Sequence, residues 1–523
     1  MINDNNTNYQ YNRCISRGIC SVNPATSSLQ EVILLYLKNA SYYGLKLFEA
    51  GKTDEKIQTL ILNTISVLSS SYELSKINFE MIISAFKSEL PRIIKEYDKV
   101  CSGCKKPEMN ELLTTGKYLN DYIRYGESEI NKRILHLKHN ENGLYKILFN
   151  LVKSFCTNIQ IYKSYGQKAE PEMLFVLKIL NLLNTRQKSK KFLKKLVIKL
   201  AVKDCNLMKK IRIIQEKVYG EQREQNVSFS TAKGKAILVV GSNIRELEYI
   251  SEVFKDKDID IYTHDKMILA HTFPEFGKYK NIKGQYGHGM ENCLLDFSTF
   301  PGPIILTRNS LFNVESLYRG RLYTTDLSYL KGVINIKNND FSEVIKSAEE
   351  SKGFKTGKEC ISVKVGFSLK EVISKIKEKV SVNTYNNVIV IGTGSYSSEA
   401  KEYFNLLVKH VPSDVLVISL FCCEQKDNVI CANAFEDVYG MVRLIDEIRN
   451  ICSRKMSVFF PYSDSQTLSA IIKSIRYKNS KIFIGSWSQT IVTPDIFDIL
   501  KKEFEISEVT SPKKDLDIIL NMK

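Results

Sequence analysis

The residues in this chain best suited to chemistry are its cysteines and one glycine-bearing turn. There are 12 cysteines. In a cytosolic setting, cysteines in such number serve metals or redox couples before they serve disulfides. Cys101-Ser102-Gly103-Cys104 has the spacing with which two thiolates share one metal, and Gly103 helps the chain bend between them. The alternative there is a pair of reduced cysteines in a loop. The turn Gly392-Thr393-Gly394-Ser395 lies between an apolar run and a helical pattern. Backbone N–H groups in such a turn can hold a phosphate, and Gly392, Gly394 and Ser395 are the candidate residues. The motif is only Gly-x-Gly, without the third glycine of a dinucleotide fingerprint.

The elements that must position these residues change character along the chain. From about residue 29 to 220, apolar positions recur at three and four: Ile57, Leu60, Ile61, Ile65, Leu68, then Leu74, Ile77, Met81, Ala85. That period predicts helix after helix, over roughly 29–50, 108–137, 143–164, 171–184 and 189–217, in a bundle. Ser28 and Glu31 have the spacing of a capping box at the first start. The polar stretch 222–231 marks a boundary. Beyond it, short apolar runs alternate with helical patterns, the signature of parallel sheets. The first set of strands is expected at 236–240, 257–262, 303–307, 332–336 and 361–366. The second is expected at 387–391, 415–420, 456–460 and 481–484. The predicted fold class is multidomain α plus α/β, an N-terminal helical bundle followed by two Rossmann-like α/β domains. Its divisions fall at 1–28 (a cysteine-bearing segment), 29–228, 229–375 and 376–523.

The stretch from Ile261 to Asn309 reads Tyr262-Thr263-His264, Met267, Ala270-His271, Phe273-Pro274-Glu275, Tyr279, Gly284, Tyr286-Gly287 and Phe300-Pro301-Gly302-Pro303. In that order it resembles the middle domain of the hybrid-cluster proteins, also called prismane proteins or hydroxylamine reductases. The resemblance extends weakly over nearly the whole chain and implies an iron–sulfur oxidoreductase.

The places where the pattern fails matter most. The resemblance implies that Lys266 stands where the family has a glutamate ligand of its hybrid iron–sulfur–oxygen cluster. Ser242 replaces a ligand histidine, and Ser310, Gly394 and Phe435 replace ligand cysteines, Gly394 the one that carries a persulfide. Cys422 is kept, Asp464 is a shortened version of another ligand glutamate, and Gln466 replaces a catalytic lysine. A protonated lysine cannot bind iron, and serine is a poor substitute for thiolate. The expectation is a degenerate paralogue without the hybrid cluster and without hydroxylamine reduction. Cys14 and Cys20 match the spacing of the family's last two N-terminal cluster cysteines, whose first pair is absent. One iron–sulfur cluster held by Cys14, Cys20, Cys101 and Cys104 would make the chain an electron-transfer protein. A third reading is a repurposed phosphate- or nucleotide-binding protein. A smaller metal site from Cys422, Cys431 and one of His264, His271 or His288 competes with ordinary buried cysteine.

The formal net charge is +17, with 43% hydrophobic residues and 10% aromatics. Lysines crowd the stretch from Lys188 to Lys217, against only Asp204 and Glu216. They offer either a docking face for an acidic partner or nucleic acid, or a solvated helix face over core positions at Phe192, Leu193, Leu196, Ile198 and Leu200. The second reading is favoured, and nucleic acid is not expected as a partner. The expected partners are a redox protein, an intact family member or a second copy. No apolar run approaches the ~20 residues needed to cross a bilayer, and no signal-peptide core is visible. A cytoplasmic protein without a membrane partner is expected.

Overall fold

Heptad-like apolar stripes wind the first part of the chain into long helices. The computed structural model describes residues 24–69, 76–101, 106–107, 109–136, 139–183, 188–287, 292–308, 317–325, 332–393, 398–421, 426–452, 455–489 and 494–521. Cys14, Cys20, Cys104, His288, Ser310, Gly394, Ser395 and Cys422 lie outside the described residues. The chain divides into two compact units, one taking in 1–142, 166–193 and 308–337, the other 143–165, 194–307 and 338–523.

The first unit is built on helices α1 (Pro24–Glu49), α2 (Glu55–Ser69), α3 (Lys76–Val100) and α4 (Leu119–His136). Helix α5 (His139–Ser164) begins there, and α6 (Glu170–Leu182) completes the bundle. Helix α1 is the hub, packing on α2, α3, α4 and α6. A Cβ on Gly126 of α4 would stand 2.0 Å from the Ser28 carbonyl oxygen, so glycine is what lets these two backbones touch. Three expectations change here. Helix α1 starts at Pro24, and Ser28 lies inside it with Oγ donating to the Pro24 carbonyl, so there is no capping box at Ser28. The stretch 108–137 breaks, with a one-turn helix at Leu112–Thr115 and an extended Gly116 before α4. The core face of α3 is Phe79, Ile83, Phe86, Leu90, Ile93 and Tyr97, while Ile77 and Met81 are exposed. Two apolar stripes compete on that helix, and the aromatic one has more surface to bury. Strands β6 (Leu322–Thr324) and β7 (Val333–Asn335), which pair in parallel, also belong to this unit.

The second unit holds the rest of α5, nearly all of α7 (Lys190–Tyr219), and most of the strands. Strands β2 (Lys235–Val240), β3 (Ile259–His264), β4 (Ile282–Gln285) and β5 (Ile304–Leu306) lie side by side in the order β4-β3-β2-β5, all parallel. Helix α8 (Ile244–Phe254) links β2 to β3, and α9 (Cys293–Thr299) precedes β5. Strand β8 (Ser362–Val365) is not part of that sheet, contrary to expectation. It pairs antiparallel with β1 (Gln225–Ser228) inside the stretch read as a boundary. The second sheet comprises β9 (Asn387–Ile391), β10 (Val415–Ser419), β11 (Val429–Cys431), β12 (Lys455–Ser463), β13 (Ser480–Gln489) and β14 (Ser507–Glu508). Its order is β11-β10-β9-β12-β13-β14, all parallel. Helices α10 (Ser342–Glu350), α11 (Leu369–Val382), α12 (Ser398–His410), α13 (Val438–Ile451), α14 (Ser465–Ser474), α15 (Pro494–Phe504) and α16 (Pro512–Leu520) complete the unit. Every residue of β9 and β10 is buried, as strands covered on both faces must be. The multidomain α plus α/β class is therefore what the structure shows. Among the described residues no helix is long and apolar enough to cross a membrane.

Candidate functional site

Strand β3 buries Ile259, Ile261 and Tyr262 and ends at the buried polar pair Thr263-His264, where the chain turns sharply. Asp265 takes a left-handed backbone, φ +61°, and starts a 3-10 helix that runs to Thr272. The turn presents Lys266, whose Nζ lies 2.7 Å from Asp464 Oδ2 and 3.4 Å from Glu436 Oε2. Asp464 ends β12 and caps α14, accepting from the Thr467 N–H at 2.7 Å. Glu436 lies between Phe435, also left-handed at φ +52°, and Asp437, which caps α13 by accepting from the Gly440 N–H. Non-glycine residues hold such backbone only where surrounding contacts enforce it. Three loops that follow β3, β11 and β12 thus converge on one ammonium group, as α/β folds place their sites at carboxyl ends of strands.

The electrostatics follow from that convergence. The Lys266 and Asp464 side chains are 15% and 19% exposed, so solvent screens the pair only in part. Burial alone would raise the Asp464 carboxyl. The Lys266 charge, its hydrogen bond and the Thr467 N–H outweigh burial and hold Asp464 below its ordinary value. Burial and the nearby Glu436 charge push Asp265 the other way, up to about 7. Asp265 therefore keeps its proton to a higher pH than an ordinary aspartate.

Behind Asp464 is a second arrangement, in which a carboxyl group meets only neutral partners. Gln466 Nε2 donates to Asn158 Oδ1 at 3.1 Å, and the Tyr439 hydroxyl donates to the same oxygen. Asn158 Nδ2 donates to Asp204 Oδ1 at 2.7 Å, and Ser154 and Ser469 donate to Asp204 Oδ2 at 2.5 and 2.6 Å. Asp204 is fully buried. Burial pushes it up to about 6 against the pull of these three donors. Sequence reasoning missed this network, and it missed Asp265 and Glu436. One signal was available: Asp204 is an acid inside a lysine run, and it falls on the same helix face as Leu200, Ala201, Leu207 and Met208, all buried.

Other candidates occupy separate roles. His264 is fully buried, with Nε2 3.0 Å from Asp296 Oδ2 and with no hydrogen-bond partner for Nδ1 among the described residues. Gly287 makes room for that carboxylate, since a Cβ there would fall 2.1 Å from Asp296 Oδ2. His271 Nε2 lies 2.9 Å from Thr263 Oγ1, and burial pulls its value down to about 4. Phe435 packs against the apolar cluster of Val227, Ile268, Leu269 and Val365. Ser242 is exposed in the turn after β2, just before Asn243, which caps α8. The Gly392 N–H donates to the Phe459 carbonyl at 2.8 Å, and the Thr393 N–H points to Met441 Sδ at 3.4 Å. Cys101 follows the last turn of α3, its N–H bonded to the Tyr97 carbonyl. Cys431 is half-buried at the end of β11. In α7, Leu193, Leu196 and Leu200 are buried as expected, but Phe192 is exposed and Ile198 is half-exposed. Lys195, Lys199, Lys203, Lys210 and Lys217 are exposed.

Comparison with known proteins bears on what this arrangement descends from. A family model described as the Prismane/CO dehydrogenase family matches residues 10–430. A hydroxylamine reductase of Thermodesulfovibrio yellowstonii is 26% identical over 534 residues, covering 97% of this chain and 98% of its own. A hydroxylamine reductase of Syntrophobacter fumaroxidans is 24% identical over 543 residues, covering 97% of each chain. A solved structure of alpha subunits of acetyl-CoA synthase/carbon monoxide dehydrogenase aligns over 97% of this chain and 83% of its own, at 10% identity. Its TM-score of 0.45 is too low to carry an argument.

Proposed function

The chain belongs to the Prismane/CO dehydrogenase family, and from that premise we propose that it is a hydroxylamine reductase-like protein in which an ion pair replaces the hybrid cluster. The observation that carries this reading is the Lys266 ammonium, 2.7 Å from Asp464 and 3.4 Å from Glu436. By resemblance, Lys266 and Asp464 stand at two positions where the family has glutamate ligands to iron. An ammonium donates hydrogen bonds and offers no lone pair while protonated. It also occupies the Asp464 oxygen that a metal would need. The residues present therefore do not fit the hybrid cluster, and no step of a reaction is assigned to it here.

A second observation supports the same reading. Gln466, which by resemblance replaces a catalytic lysine, is bonded through its amide to the Asn158 amide. An amide neither gains nor loses a proton near neutrality, so this position supplies no acid or base. What these residues do is structural. Lys266 draws together the loops after β3, β11 and β12, and Asp464 starts α14. In this reading the protein retains a redox scaffold and acts through binding, with an intact family member, a redox protein or a second copy as its partner.

The test is anaerobic purification with measurement of iron, acid-labile sulfide, the visible spectrum and hydroxylamine reduction. The expected result is no hybrid-cluster spectrum and no hydroxylamine turnover. Iron at about four per chain, lost in Cys14→Ser, would assign one cluster to the N-terminal cysteines and favour electron transfer. Iron at about eight per chain with hydroxylamine turnover would overturn the proposal.

A further inference from the structure

Helix α11 and the edge strand β11 leave a cavity of about 310 Å3 between them, lined by Lys375, Glu378, Lys379, Lys426 and Cys431 among others. That volume lies at the small end of the range for small-molecule sites, about 300–1,000 Å3. Its charge is unbalanced, since the lining holds three lysines and one glutamate. Two of the ammonium groups are held by main-chain oxygens. Lys379 Nζ donates to the Asp427 carbonyl, and Lys426 Nζ donates to the Val408 and Lys409 carbonyls at 2.9 and 2.6 Å. A neutral carbonyl orients an ammonium without neutralising it. Each ammonium has three donors, so both lysines keep a donor for a ligand. Lys375 is exposed one helical turn before Lys379 on the same face of α11.

We propose that this cavity binds a phosphate group, either free or as a small monoester, through Lys375, Lys379 and Lys426. A dianion matches the excess of positive charge, and its several acceptor oxygens can take donors from more than one lysine. The site is separate from the Gly392-Thr393 turn, whose backbone donors are used internally. It does not depend on the state of the Lys266 cluster.

Cys431 lies in the wall and serves as the reporter, while exposed Cys360 is the control. The full-length protein is treated with iodoacetamide, and labelling of each cysteine is followed by peptide mass spectrometry. Inorganic phosphate is added at constant ionic strength, with sodium chloride as the matched salt. At phosphate about tenfold above its dissociation constant, Cys431 labelling slows about tenfold, because only the free fraction reacts. Cys360 labelling stays unchanged, and the protection vanishes in the Lys379→Gln/Lys426→Gln variant. In parallel, phosphate raises the unfolding temperature of the wild type but not of the variant, a readout that holds even if Cys431 labels slowly. Glycerol phosphate separates the two sources: tighter binding than inorganic phosphate identifies an ester, equal binding the free ion. Equal protection by chloride, equal protection in the variant, or no thermal shift with phosphate overturns the proposal.

Discussion

Asp464 and Asp204 are carboxylates served by the same helix, and they are stabilised in opposite ways. Asp464 caps α14 and faces the Lys266 ammonium, which holds its value down. Asp204 accepts from Ser469 of α14 and from Ser154 and Asn158, all neutral, and burial pushes it up to about 6. One aspartate is kept charged by a cation. The other holds its proton to a higher pH than usual because of the cost of burying a charge. The cation is the element that distinguishes a site from a core. Lys266 ties the Asp464 and Glu436 carboxylates into an ion-paired cluster, whereas Asp204 is met by hydroxyls and an amide in a polar core.

The largest test of this contrast is Lys266→Glu, which reinstates the residue type that the resemblance implies. It places a further carboxylate beside Asp464 and Glu436 and removes the ammonium that pairs with them, so stability should fall by about 3–5 kcal/mol. Urea denaturation checks this, and an unchanged midpoint would show that the Lys266 pair does not hold the loops together. The variant is expected to bind no hybrid cluster, because by resemblance Ser242, Ser310, Gly394 and Phe435 still stand at ligand positions.

Next in size is the dependence on pH. The folded-state values of Asp204 and Asp265 are raised, to about 6 and about 7. A carboxyl raised on folding favours the folded state at low pH, and that advantage is lost as pH climbs from its unfolded value to its folded value. For Asp204 this gives a loss of up to about 3 kcal/mol between about pH 4 and pH 6. Asp464 acts in reverse: its contribution is present above the unfolded value of about 3.9 and disappears as pH falls further. Unfolding free energies measured across this range should rise and then fall as pH increases. Asp204→Asn should make the falling limb shallower below about pH 6, leaving the part due to Asp265 and the acid limb in place. A falling limb that is identical in Asp204→Asn would refute the assignment to Asp204.

A smaller loss is expected for Asp204→Ala at pH 5. It leaves the Ser154, Ser469 and Asn158 donors without their acceptor and should destabilise by about 2 kcal/mol. A calorimetric melt that does not move would mean that these donors find other partners. Smallest of all, Lys199→Gln on the exposed face of α7 should change stability by less than about 0.5 kcal/mol. A larger loss would show that this lysine face is part of the fold and not a solvated surface.

Much of the fold could be read in the sequence, for identifiable reasons. Strands β2 and β9 are continuous apolar runs of the kind that only burial on both faces explains, and both were located almost to the residue. Strand β8 was recognised as a strand but given the wrong neighbours, because Val363 and Val365 show a period without naming the partner that covers it. The competing stripes of α3 illustrate the same limit. Periodicity identifies a helix, but packing chooses its inner face. At the site, Lys266, Asp464, Phe435 and Gln466 could be singled out by type and by family pattern. Asp265 and Glu436 could not, since their importance comes only from backbone that turns left-handed beside them.

The sequence by itself determined the alternation of helices and strands, the family, and which residue types stand at particular positions. Those properties reside in local periodicity and residue identity. Only the tertiary structure decided that Lys266 is bonded to Asp464 across a separation of 198 residues. The same holds for Asp204, which meets Ser469 across 265 residues. A charge pair or a buried hydrogen bond depends on distance and on the exclusion of water. Neither quantity exists along the chain until the sheets have brought their strand ends together.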